Sequence, residues 1–302
     1  MTDFRIGIDL GGTKTEVILL NGSSQGLFRT RIPTVRDDYA ATLRDIASLV
    51  AQAEAAAGQS NLPVGIGIPG TVSRKTGFVK NANSTWLNGN PFQKDLSVHL
   101  NRDVKITNDA NCLAVSEATD GAGRGHDLVF AGILGTGCGA GVAYKGLPIV
   151  GPNGVAGEWG HNSLPWTREA ELEARPCYCG KSGCQETFLS GTGLCKSYEI
   201  LTGLKVTGSD IVARAAKDEI HARQVLDAYF DQLARGLAAV INIMDPDIIV
   251  LGGGASNITE IYTAVPQLLN NYVFGFECDT PIVQAVHGDS SGVRGAAWLN
   301  PL

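Results

Sequence analysis

The sequence predicts an α/β fold of two related lobes, and three observations carry that reading. Short apolar runs repeatedly end in glycine turns. A strand, glycine turn, strand unit recurs 124 residues further on, with Leu10, Gly11 and Gly22 falling on Leu134, Gly135 and Gly146. At 302 residues the chain is too long for one comfortable core and suits two of roughly 150 residues each.

In chain order, residues 4–9 form an apolar run, Leu10-Gly11-Gly12-Thr13-Lys14 turns the chain, and residues 15–20 read as a second strand before Asn21-Gly22. Asp37 is the expected N-cap of a helix in which Leu43, Ile46, Ala47, Val50 and Ala53 share one face, with Gly58 as its stop. Residues 64–68 are a buried strand ended by Pro69-Gly70. Residues 104–107 form another, delivering Asn108 and Asp109 to a helix running to about residue 117. Gly121 and Gly123 then mark a boundary, giving a smaller N-terminal lobe over 1–120 and a larger C-terminal lobe over 121–290. The second lobe opens with strands at 128–134 and 140–144 around the turn from Gly135 to Gly139. Its long helix covers 222–244, with Val225, Leu226, Tyr229, Leu233, Leu237 and Val240 on the apolar face, and Asp245-Pro246 ends it. A strand at 248–251 leads to Gly252-Gly253-Gly254, residues 258–269 look helical, and 292–299 form a last helix. The tail, about 291–302, is expected to pack back on the first lobe.

Composition limits the function. Hydrophobic residues are 44% and charged residues 18%, which excludes disorder, collagen and coiled coil. The formal charge of −6 gives no footprint for a nucleic-acid backbone or an anionic membrane, and no run reaches the ~20 apolar residues needed to cross a bilayer. A cytoplasmic protein acting on small molecules, with no nucleic-acid or membrane partner, is the expectation.

The 38 glycines are nearly twice the ordinary share of about 7%. Three glycine turns end strands, at Leu10 to Lys14, Leu134 to Gly139 and Leu251 to Gly254, where backbone N–H groups can converge on phosphate with no side chain in the way. None matches a P-loop or a dinucleotide fingerprint, so a different nucleotide fold is required. Asp109 stands at the C-terminal end of a strand, where it either caps the following helix or acts as the base on a phosphoryl acceptor.

The seven cysteines do not suit a disulfide framework, because three crowd into eight residues. His161, Cys177, Cys179 and Cys184 read as His-x15-Cys-x-Cys-x4-Cys, and three thiolates with one imidazole make a closed, structural zinc site. Spacing alone leaves His126 and His221 as other choices for the fourth ligand. Cys112, Cys138, Cys195 and Cys278 are expected to be buried small hydrophobes, and Trp86 and Trp166 either wall a sugar pocket or fill core.

Asp9-Leu10-Gly11-Gly12-Thr13-Lys14 is similar to the first phosphate loop of the actin and sugar-kinase superfamily, and Gly135-Thr136-Gly137 resembles its second. Gly252-Gly253-Gly254 is similar to the adenosine loop. That resemblance implies two ribonuclease-H-like lobes of the actin/hexokinase type, with an ATP and sugar cleft between them. It implies that Gly11, Gly12, Thr13, Lys14, Gly135, Thr136 and Gly137 hold phosphates, and that Asp9 helps to hold Mg²⁺ through water.

Gly157-Glu158-Trp159-Gly160-His161, the loop from Cys177 to Glu186 and the tail from Gly288 to Ala297 resemble the ROK family of repressors, open reading frames and kinases. This resemblance selects His161 as the zinc ligand, through one ring nitrogen, with the other facing sugar. It assigns Asn108, Glu158 and Glu186 to sugar hydroxyls and Asp109 to catalysis. The fifteen residues between His161 and Cys177, with the Lys80 to Gly89 run, resemble bacterial fructokinases of the manno(fructo)kinase type, which brings Asn83 to the sugar. The function implied is ATP-dependent phosphorylation of fructose to fructose 6-phosphate, with mannose as second substrate; a homodimer is compatible with it. The rivals are a glucokinase or N-acetylhexosamine kinase of the family, and a sugar-sensing ROK repressor. Such repressors carry a DNA-binding domain ahead of the first loop, which here begins at residue 9.

Overall fold

The computed structural model describes residues 3–171 and 175–301. It divides into two units, one made of Met1–Asp127, Gly141–Gly157 and Val286–Leu302, the other of Leu128–Ala140 and Glu158–Ala285. Residues 172–174, in the stretch between His161 and Cys177, lie outside the described residues.

The first unit opens with the hairpin β1 (Arg5–Leu10) and β2 (Lys14–Leu20), continued by β3 (Gly26–Pro33). Next come α1 (Tyr39–Ala57), β4 (Val64–Ile68), a short ribbon of β5 (Thr71–Val72) with β6 (Val79–Lys80), and α2 (Phe92–Leu100). Then β7 (Val104–Asn108) leads into α3 (Asp109–Asp120). The sheet order is β3-β2-β1-β4-β7, with β1, β4 and β7 parallel, so the ends of β1 and β7 lie on one carboxyl edge. Ile6, Ile8, Val17 and Leu19 pack against Ile46, Leu49 and Val50 of α1, while Ile18 and Leu20 on the other face meet Val115, Val293 and Trp298.

After β8 (Leu128–Leu134), β9 (Cys138–Tyr144) and β10 (Leu147–Pro148), the chain forms α4 (Glu186–Leu189), α5 (Gly191–Thr202), α6 (Gly208–Ala215) and α7 (Ile220–Met244). It ends with β11 (Ile248–Gly252), α8 (Ile261–Leu269), β12 (Ile282–Gln284) and α9 (Ser291–Trp298). The second sheet runs β10-β9-β8-β11-β12, repeating the first order position for position.

Several details differ from the sequence reading. The cap of α1 is Asp38, whose side chain accepts from the Ala41 amide, and Asp37 sits just before it with φ 60°. β3 escapes the apolar-run criterion because it alternates, with Arg29 and Arg31 reaching back to Glu16. Gly141 of β9 lies so close to α3 that a Cβ there would stand 2.1 Å from the Ala110 carbonyl oxygen, and residues 141–157 accordingly belong with the first unit. In α9 the same closeness recurs. A Cβ on Gly7 or Gly65 would stand 2.0 or 1.9 Å from the Val293 or Ala296 carbonyl oxygen, so these glycines serve helix-on-strand contact rather than a ligand.

Candidate active site

In the first unit, the β1–β2 turn is closed by the Gly11 N–H donating to the Lys14 carbonyl at 2.9 Å. Thr34 braces it from outside, its hydroxyl donating to the Gly11 carbonyl at 2.9 Å and its N–H to that of Thr13 at 3.0 Å. Gly12 faces open space apart from the Ser84 hydroxyl, which is buried and has no hydrogen-bond partner. Asn83, the neighbouring residue, is exposed. Its loop is fixed by Asn88, whose side chain bonds both the N–H and the carbonyl of Ala82 at 2.9 Å. The loop reaches the sheet edge because Gly70, at φ 87°, would place a Cβ only 2.6 Å from the Ala82 nitrogen. Sequence reasoning missed Ser84; its place between Asn83 and the core residue Leu87 was the available signal.

Asn108 and Asp109 end β7. The Asn108 side chain caps α3, accepting from the Asn111 amide at 2.8 Å, and Asp109 is the first residue of the helix. Capping is therefore the work of Asn108. Asp109 Oδ1 accepts from the Ala110 N–H at 2.8 Å. Although Asp109 keeps solvent-accessible surface, the protein around it pushes its carboxyl above the ordinary range, against the backbone amides that favour charge. Burial, then the charges of Asp109 and Glu16, raise Asp9 to about 6. Asp9 lies against Gly67 and Gly292, and a carboxylate at the end of β1 beside a glycine turn is donor chemistry that suits a hydrated Mg²⁺, with Asp9 as the residue that would hold it.

In the second unit two glycine turns meet. Gly253, at φ 85°, would put a Cβ 2.6 Å from the Leu134 carbonyl carbon, so the Gly252 to Gly254 turn lies directly on the Leu134–Gly135 backbone. The Gly135 carbonyl accepts from Gly191 at the start of α5 at 2.7 Å, and Thr136 is exposed at the tip. Glu186 reaches the same turn: its Oε2 accepts from the Cys138 N–H at 3.0 Å and would stand 2.7 Å from a Cβ on Gly137. Its Oε1 lies 3.7 Å from Cys177 Sγ. One carboxylate thus spans the glycine turn and the cysteine loop, a link that spacing could not reveal.

His161, Cys177, Cys179 and Cys184 bring one ligand atom each within 4.8 Å of one another. Cys177 Sγ is 3.6 Å from His161 Nδ1, and Cys179 Sγ is 3.6 Å from Cys184 Sγ. Zinc at about 2.3 Å from sulfur requires tetrahedral ligand separations of about 3.5 to 3.8 Å, which these two pairs meet, and three thiols with one imidazole are zinc-type donors. His126 and His221 are not in the cluster. The other ring nitrogen, Nε2, is 3.0 Å from the hydroxyl of Tyr178, an exposed side chain that sequence reading passed over as the residue between two ligands. Glu158 is exposed and precedes the short helical turn that carries His161.

Other expectations fall differently. Cys112 and Cys138 are buried, but Cys195 and Cys278 are only partly so, because neither sits on a core-facing position of its segment. Trp86 packs on the first core with its indole N–H on Thr42 Oγ1 at 3.1 Å, while Trp166 is half exposed and stacks on Tyr272. Among the described residues no helix is long and apolar enough to cross a membrane.

Comparison with known proteins shows what the whole chain is similar to. The model of the ROK family matches residues 5–301. An N-acetyl-D-glucosamine kinase of Escherichia coli O1:K1 / APEC is 38% identical over 298 residues, covering 97% of this chain and 98% of its own length. The structure of a ROK hexokinase from Thermus thermophilus superposes with a TM-score of 0.86 at 27% identity, covering 98% of this chain and 97% of that one. A ROK family glucokinase from Streptomyces griseus, in complex with glucose and AMPPNP, gives 0.73 at 26%, covering 97% and 98%.

Proposed function

The chain belongs to the ROK family, and from that premise we propose that this sugar kinase transfers the γ-phosphoryl group of ATP to the 6-hydroxyl of a hexose, with fructose preferred and mannose second. The observation that carries the reading is the division at the start of α3: Asn108 takes the cap, and Asp109, with only its Oδ1 on the Ala110 N–H, keeps Oδ2 for a substrate hydroxyl. Asp109 accepts the proton of the 6-hydroxyl as its oxygen attacks the γ-phosphorus. The bond from γ-phosphorus to the β,γ-bridging oxygen breaks, and ADP leaves. Gly11 to Lys14 and Gly135 to Gly137 present backbone to the phosphates, and Gly252 to Gly254 takes the adenosine. Asn83, Asn108, Glu158, His161 and Glu186 orient the sugar. Asp9 would hold Mg²⁺ through water, and the bound ion would supply charge neutralisation at the phosphates. Zn²⁺ on His161, Cys177, Cys179 and Cys184 is structural, and Tyr178 gives up its contact with His161 Nε2 when a sugar hydroxyl arrives.

The fructose preference is supported by the Lys80 to Gly89 run and the long stretch after His161, both fructokinase-like. A second reading, N-acetylglucosamine as acceptor, is favoured by the relatives at 38% identity. A coupled ADP-release assay across fructose, mannose, glucose, N-acetylglucosamine and N-acetylmannosamine decides between them. Highest kcat/KM with fructose is the expected result. A higher value with N-acetylglucosamine replaces the preference, and no sugar-dependent ADP release with any of the five overturns the kinase reading.

A further inference from the structure

The zinc reading leaves the stretch after His161 without a task, and the hydrogen bonds there are specific. Ser163 bridges Cys184 in antiparallel fashion, the Leu164 N–H donates to the Gly183 carbonyl at 3.0 Å, and the Gln185 N–H donates to the Asn162 carbonyl at 2.8 Å. Residues 162–164 therefore clamp the backbone on both sides of one ligand, Cys184, and begin directly after another, His161. The next two carbonyls, of Pro165 and Trp166, both accept from Arg235 Nη1 at 2.9 Å.

Arg235 is fully buried on α7. Its Nη1 also donates to Glu171 Oε2 at 2.9 Å, its Nη2 to Glu171 Oε1, and its Nε to Asp231 Oδ2 at 3.0 Å. Burial alone would push the Glu171 carboxyl up, but the Arg235 fork outweighs it and the net shift is downward. Further along, Trp166 is held at φ 47°, a costly conformation for an aromatic residue, with its ring 5.4 Å from that of Tyr272. Arg168 and Tyr272 both donate to Asp231 Oδ1, at 2.7 and 2.6 Å. A buried ion pair contributes little net stability compared with apolar packing, yet a guanidinium whose fork is fixed on Glu171 and whose Nη1 takes two successive carbonyls fixes the path of the segment bearing them.

We propose that Arg235 is a positioning residue for the metal centre: by gripping Pro165 and Trp166 from α7 it fixes the 162–164 strip, and the strip holds His161 and Cys184 at metal-binding separation. The inference rests on the zinc reading of the previous section. Distant supports of metal ligands act in this way, and their loss costs about 10- to 100-fold in metal affinity.

The test uses the purified zinc-loaded protein. Total metal is measured on the parent, and zinc release to a chromogenic chelator is then timed for the parent, Arg235→Lys and Arg235→Met. The parent should carry about one zinc per chain and lose it slowly. Arg235→Lys, which keeps the charge but not the fork, should release zinc at least about 5-fold faster, and Arg235→Met about 10- to 100-fold faster. Hydrogen exchange should quicken at the Leu164 and Gln185 amides and stay unchanged in the middle of α7. Arg235→Lys decides the matter if Arg235→Met does not fold. Release within 2-fold of the parent from folded Arg235→Lys overturns the proposal, even if its melting temperature has fallen, because that pattern marks a merely structural residue. A parent without zinc overturns the metal reading itself and this inference with it.

Discussion

Asn108 and Asp109 divide between two side chains the tasks that one helix-start residue often combines. The Asn108 side-chain oxygen is spent on the Asn111 amide, so its NH₂ group remains for a hydroxyl, and Asp109, whose Oδ1 accepts from the Ala110 N–H, keeps Oδ2 for a substrate. Asp109→Asn is thus expected to fold like the parent and to bind sugar with KM within a few-fold, while kcat falls by roughly 10²- to 10⁴-fold. Steady-state kinetics check this; turnover within a few-fold of the parent would remove Asp109 from the mechanism. At this scale the sequence was informative about residue identity and silent about partners. Asp109 stood out because a strand delivers it, whereas Ser84 beside Gly12 and the Tyr178 hydroxyl on His161 depend on tertiary contacts that no local pattern encodes.

Among the elements, strands that end in glycine turns were legible, since a buried run followed by a turn is a local signal. β3 was not, because its alternating, half-exposed pattern pairs charges across to the buried Glu16. Glycines carry both meanings here: Gly12, Gly135 and Gly254 in the turns stay open, while Gly7 and Gly65 admit α9. Gly253 belongs to a third kind, seated backbone to backbone on Leu134 with φ 85°. Gly253→Val adds both a clash and a strained φ, and is expected to raise KM for ATP by at least about 10-fold, or to abolish ATP use. A folded variant with the parent's KM for ATP would remove this turn from the nucleotide site. For the cysteine loop, Cys179→Ser is expected to lower bound zinc from about one per chain to a small fraction and to raise KM for sugar. Since Glu186 also touches the Cys138 amide, KM for ATP should rise too, by a smaller factor. Metal analysis and paired kinetics test both parts, and full zinc occupancy with unchanged constants would refute the assignment of Cys179.

Across the whole molecule, the repeated sheet order was visible in two turns of matching spacing and the return of the tail was expected, but the assignment of residues 141–157 to the first unit was not. Residues 286–302 return to it through contacts made by buried charges. Glu117 accepts from the Val286 and His287 amides and the Ser291 hydroxyl, and Asp120 receives the Arg294 guanidinium and the Trp298 indole N–H. His287 Nε2 lies 2.9 Å from Asp120 Oδ1, an ion-pair distance, and 3.1 Å from the Asp120 carbonyl oxygen. Burial pushes the Asp120 carboxyl up, but His287, Arg294 and Trp298 outweigh it and hold it at about 2. The bond to Asp120 in turn raises His287 above its ordinary 6.5, despite partial burial and the charge of Arg294. The signs set two limbs. A raised histidine gives stability that is complete below 6.5 and lost as pH rises through the folded value; a depressed aspartate gives stability present above about 4 and lost as pH falls toward 2. The Asp120 contribution is on the order of 2 kcal/mol. Urea unfolding of the parent and of His287→Gln from pH 3 to pH 9 should give a stability difference that is largest between about pH 4 and 6.5 and shrinks above it. The acid limb should survive in the variant, because Arg294 and Trp298 still hold Asp120. A difference that stays constant from pH 5 to pH 9 would mean that His287 packs the returning chain without carrying charge.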